Sequence, residues 1–296
     1  MKLTRRSTYV VTLLGVLALG SCGPSTKDDS KSKEFDEAGK PIVDQIQDLV
    51  YDIPSPHEIP YLLQASGAEF NQSLLNNRKK ADSYLARNDK AALNLGVYAT
   101  DIGYLSSYDK TQEAIDYLNV VKTLGDNLGV IGSFDVDMLN KFEANISNKD
   151  SLATLIDRSV QKTSSYLRDD NRSKLAAMII TGGFVEGLYI STGVIKTYPK
   201  NLLPDDQRNL ILTPLMRVIL EQKKSVGELV RMLSTIDQSE PVAGIVTDLH
   251  ALEAGYRALN IEEQIKNNKT ATLVLSDKNL EEITKIVAKL RTSIVD

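Results

Sequence analysis

Tryptophan is absent from this chain, histidine occurs twice and cysteine once. With one thiol, Cys22, no disulfide can form within the chain, so packing has to hold the fold. His57 and His250 have neither a second histidine nor a cysteine at ligand spacing, which argues against a zinc site. No glycine-rich phosphate loop, G-x-S-x-G elbow or H-E-x-x-H pair is present, and nothing in the sequence calls for a cofactor. Without tryptophan, sugar recognition by stacking would fall to the twelve tyrosines. Basic residues are outnumbered, 35 against 39 acidic. That balance disfavours nucleic acid and anionic lipid as partners through charge.

What is present begins with a short targeting pattern. Lys2, Arg5 and Arg6 precede an apolar run from Tyr9 to Leu19, and Gly20 and Ser21 are small. This is the layout of a secretory signal peptide, and about a dozen apolar residues fall short of the roughly 20 that span a bilayer. Leu19, Gly20, Ser21 and Cys22 then resemble the lipobox of bacterial lipoproteins. The resemblance implies a diacylglycerol thioether on Cys22, cleavage just before it, and fatty acid, palmitate for instance, on the freed amine. Two or three acyl chains anchor durably where one does not, since each buried methylene contributes about 0.8 kcal/mol.

On this reading 1–21 is a signal peptide, 22–36 a disordered lipid-anchored tether and 37–296 a helical domain. The cut would remove three basic residues and no acidic one, leaving 275 residues with a net charge of about −7. Within the tether, Lys27, Asp28 and Asp29 resemble the lysine-plus-acidic signal that sends Bacteroidota lipoproteins to the outer face of the outer membrane; a charged solvated linker has the same composition. The expected location is the cell envelope, anchored to the outer membrane on its periplasmic or surface face.

The body reads as all-α. Ile42, Ile46, Leu49, Val50 and Ile53 share one helical face, as do Ile283, Ile286, Val287, Leu290 and Ile294. Between them the spacing predicts helices over 60–66, 70–87, 89–107, 110–128, 134–146, 150–168, 172–198, 205–222, 225–236 and 241–259. Pro41, Pro60, Pro204 and Pro241 suit first-turn positions, and Ser225 with Glu228 suits a capping box. Residues 270–276 are β-branched but alone, so they read as an extended connector. The expected architecture is a multi-helix bundle or a solenoid-like stack of hairpins. An internal duplication is suggested by the "SYL" of Ser83–Leu85 and of Ser165–Leu167, each followed by a glycine-bearing apolar helix. "TQEAIDYLNVVKTLG", with Ala114 and Tyr117, is loosely similar to the second helix of a tetratricopeptide repeat.

The candidate chemistry lies in those glycine-bearing helices. Leu175 to Ile195 carries one charge, Glu186, and four glycines, of which Gly183 and Gly187 are spaced for close helix approach. A carboxylate at its centre argues for a buried core helix over a membrane span. Glu186 has Asp101 as its counterpart in the earlier helix, and Tyr104 and Tyr189 lie near them in sequence. These four residues are candidates to line a pocket; alternatively the carboxylates bond tyrosine hydroxyls or basic residues and fix helix register. Asp150, Ser151 and Leu152 resemble a short O-glycan acceptor with Ser151 modified, and capping by Asp150 or Ser151 explains the same residues. Three functions follow: an envelope module that binds another envelope protein, a small-ligand binder using Asp101 and Glu186, and a hydrolase using them as acid and base.

Overall fold

The computed structural model describes residues 62, 66–130, 136–145, 148, 151, 155, 170–199, 201, 203–259 and 277–296. The expectations for the signal peptide, the tether with Cys22, the helix at 42–53, the proline-rich break at 53–60, Asp150, most of 150–168 and the connector at 270–276 lie outside those residues.

Among the described residues there are eight helices of ten residues or more and no strand. They are α1 (Asn88–Ser107), α2 (Thr111–Asn127), α3 (Val136–Asn145) and α4 (Asp170–Thr197). In the later half come α5 (Asp205–Glu221), α6 (Lys223–Ser234), α7 (Val242–Ala258) and α8 (Asp277–Val295). The fold is an all-α bundle. In α8 the buried residues Leu280, Ile283, Val287, Leu290 and Ile294 alternate three and four apart, one apolar stripe facing inward. Val242, Ile245, Leu249, Leu252 and Tyr256 repeat that spacing in α7.

α1 and α4 sit at the centre, packed on each other over the largest helix interface; α2 covers α1, while α8 lies against α4 and α7 against α8. Lys174–Thr197 is long and apolar enough to cross a membrane, yet 72% of its most apolar stretch is buried inside the bundle. The central pair approaches through glycine. A Cβ on Gly96 would lie 2.0 Å from the Ile179 carbonyl oxygen, and one on Gly182 would lie 1.9 Å from that of Leu93. Thr100 spans the crossing, its hydroxyl donating to the carbonyls of Gly96 and Gly183 at 3.1 and 3.2 Å. Gly183 is in tight contact as expected, but Gly187 faces open space, so the close approach is made by Gly182 and Gly183 rather than by Gly183 and Gly187.

Segment 70–87 is not one helix. It breaks into 3-10 turns at Gln72–Leu74 and Arg78–Lys80 and a single α-turn at Ala81–Tyr84. The asparagines cause this: Asn71 and Asn77 side chains accept from the amides of Ser73 and Lys79, satisfying them without helix bonds. The capping box at Ser225 is also not formed. α6 starts at Lys223 directly after α5, its first bond running from Val226 N–H to the Gln222 carbonyl, which places Ser225 buried inside the first turn. Asp170 opens α4. Pro214 lies within α5. Having no N–H, it cannot donate the usual helix bond to the carbonyl of Leu210, a residue that is 71% exposed.

Candidate functional site

Asp101 on α1 and Glu186 on α4 meet where α8 crosses them, and both are wholly buried. Glu186 accepts two parallel hydrogen bonds from Arg291 of α8, Nε to Oε2 at 3.0 Å and an Nη to Oε1 at 3.1 Å. The planar guanidinium matches a carboxylate in this forked way, which a lysine ammonium cannot do. Arg291 also lies over the ring of Tyr189, 4.6 Å from its centroid. Asp101 Oδ2 accepts from the Asn76 backbone N–H at 3.1 Å, and its Oδ1 has no hydrogen-bond donor. Burial, and after it the charge of Glu186, push the Asp101 carboxyl well above the ordinary carboxylate range.

Asn76 is the hub of the surrounding network. Its carbonyl accepts from the Tyr117 hydroxyl of α2 at 2.8 Å, and its amide nitrogen donates to Tyr84 Oη and Asn94 Oδ1. Asn94 in turn donates to the Ile294 carbonyl and Tyr84 to that of Val295. Lys80 and Lys90 add bonds to the carbonyls of Val295, Ser293 and Ile294, so the last turn of α8 is capped by side chains from the start of the bundle. One connected set of buried polar groups therefore ties α1, α2, α4 and α8 to the segment before α1.

Of the four residues expected together, three converge: Asp101, Glu186 and, through Arg291, Tyr189. Tyr104 belongs to a separate aromatic group, stacked on Phe70 at 5.5 Å and edge-on to Tyr108, with its hydroxyl accepting from Asn71 N–H. Beside Phe70, a cavity of about 180 Å³ opens between residues 68–71 and the end of α4 at Val194, Thr197 and Tyr198; neither carboxyl lines it. Ser151 lies in a helical turn and its N–H donates to Asn148 Oδ1, so Asn148 does the capping. No group of three or more metal-ligating side chains is found among the described residues.

Sequence reasoning missed Arg291 and Asn76. A buried carboxylate demands a cation, and Arg291, the sole arginine in α8, borders its apolar stripe beside Leu290. That signal was readable. Asn76 acts through its backbone, which leaves no mark in the sequence.

No family model, curated protein or solved structure matches this sequence.

Proposed function

We propose that this chain is a lipid-anchored helical module of the bacterial envelope that works by binding another envelope protein, with the outer membrane as its site of attachment. One observation carries the reading: Cys22, the sole cysteine, follows Leu19, Gly20 and Ser21 where an apolar run meets a polar segment. The bundle supports it from another side. The two carboxyls with catalytic potential have no solvent contact, and three of their four oxygens are engaged by Arg291 and Asn76. Acid–base hydrolysis needs those oxygens within reach of substrate, and a small ligand would have to open the centre of the bundle to meet them. Both points favour a role for the bundle's outer surface over chemistry at this buried pair.

Replacing Cys22 with Ala tests the anchor. Radiolabelled fatty acid should no longer be incorporated, and the protein should leave the membrane fraction. Persistent labelling would refute the anchor. Crosslinking in intact cells tests the module: the wild type should yield a discrete adduct with one envelope protein that disappears in the Cys22→Ala form. A protein that stays uncrosslinked, and gains thermal stability with a metabolite, would replace this reading with the ligand-binding one.

A further inference from the structure

The junction of α1, α4 and α8 contains two carboxyls and one guanidinium. Facing Asp101 are Tyr98 on its own helix, Tyr117 on α2, Glu186 on α4 and Arg291 on α8. Tyr189 of α4 and Tyr84 face Arg291, and beyond Tyr84 Lys80 is paired with Asp296. Arg291 is thus the cation that acts on both carboxyls, and Glu186 already takes both arms of its fork. Two ionised carboxylates here would leave one negative charge uncompensated in a place without water contact, a costly state. A proton on Asp101 removes that charge and makes Oδ1, an acceptor with no donor, a donor itself. The neighbour within hydrogen-bonding range of Asp101 is the Glu186 carboxylate.

We propose that this junction is a proton-linked latch, in which Asp101 keeps its proton and donates it to Glu186, Glu186 is gripped by Arg291, and loss of the proton loosens the tie between α1, α4 and α8. The sign follows from linkage. An unfolded aspartate gives up its proton near pH 3.9, whereas the native one keeps it. The latch's contribution to stability is therefore complete below about pH 4 and is lost as pH rises through the native titration. Across that window the ratio of folded to unfolded chain falls about tenfold per pH unit from this group.

The test compares the full chain with Asp101→Asn, whose amide supplies a permanent N–H donor towards Glu186 while its carbonyl can still accept from Asn76. Urea unfolding between about pH 5 and about pH 9 should show the wild type losing folded-to-unfolded ratio relative to Asp101→Asn by about tenfold per pH unit until the native acid titrates. Infrared difference spectroscopy gives a second readout. The wild type at neutral pH should show the carbonyl band of a protonated carboxyl, lost in Asp101→Asn. It should also be lost in Glu186→Gln, where Asp101 can ionise against Arg291. Parallel unfolding profiles, or no protonated-carboxyl band in the wild type at neutral pH, would overturn the latch. If Asp101→Asn fails to fold, the band in the wild type and its loss in Glu186→Gln decide the matter.

Discussion

Replacing Gly96 with Ala adds one methyl group, and the structure says where it goes. Its carbon would sit 2.0 Å from the Ile179 carbonyl oxygen and 2.7 Å from the Gly183 nitrogen, both backbone atoms of α4. An ordinary C···O approach is about 3.3 to 3.6 Å, so α1 and α4 must part by more than an ångström at their crossing. A gap of about 0.5 to 1 Å already forfeits a quarter to a half of each dispersion contact, and here it would open along the largest helix interface of the bundle. The Thr100 bond to the Gly183 carbonyl would stretch beyond use with it. Helix propensity acts the other way, favouring Ala by about 0.8 to 1 kcal/mol. Overpacking costs of about 1 to 3 kcal/mol are typical and a backbone clash on both sides lies at or above the upper end, so a net loss of about 2 kcal/mol or more is expected. Gly187→Ala is the internal control. No atom lies within 4 Å of its added carbon, so only propensity remains and the variant should gain about 0.5 to 1 kcal/mol. Urea midpoints with unchanged slopes measure both. A Gly96→Ala protein as stable as the wild type, or a Gly187→Ala protein destabilised as much, would refute the glycine crossing.

Two further substitutions probe the buried network. Arg291→Met keeps an unbranched stem but strands Glu186, and should cost about 3 to 5 kcal/mol in urea unfolding, with Arg291→Lys recovering only part of it because an ammonium cannot fork. Tyr117→Phe removes the hydroxyl that donates to the buried Asn76 carbonyl, and should cost about 1 to 3 kcal/mol while leaving the helical circular dichroism signal unchanged.

The sequence made the helices legible because most carry an apolar stripe at helical spacing, and seven of the eight helices, all but α8, for which the pattern set no bounds, agree with the predicted spans to within two residues at each end. α6 shares that accuracy, although its start was attributed to a cap that does not form. The miss at 70–87 has a local cause. Its apolar spacing is helical, but Asn71 and Asn77 hold competing bonds, and the Asn76 amide and carbonyl are claimed by Asp101 and Tyr117 from helices that follow. A tertiary demand on backbone groups cannot be seen in a local pattern. The same limit applied to the site. Asp101 and Glu186 stood out as charges in apolar surroundings, whereas Arg291 lies 105 residues after Glu186 in a helix with several other charges. Gly187 was misplaced for a simpler reason: G-x-x-x-G spacing fixes a helix face but not which face meets the neighbour.

That last ambiguity explains why a polar junction belongs at this point of the bundle. α1 and α4 are buried on most of their circumference, so hydrophobicity alone does not choose their rotation about their own axes. Glycine contacts permit close approach, but a surface of small residues offers few knobs to lock a register. Asp101, Glu186 and Arg291 supply the missing specification, because rotating either central helix would carry a carboxyl away from its partner and bury it unsatisfied. Their net worth in stability need not be large for this. Buried ion pairs are often no more stabilising than apolar residues of similar size, while breaking one is severe. The trio thus acts chiefly by penalising wrong arrangements, and because one of its members must hold a proton to balance the charge, the same device that fixes the register also makes it sensitive to pH.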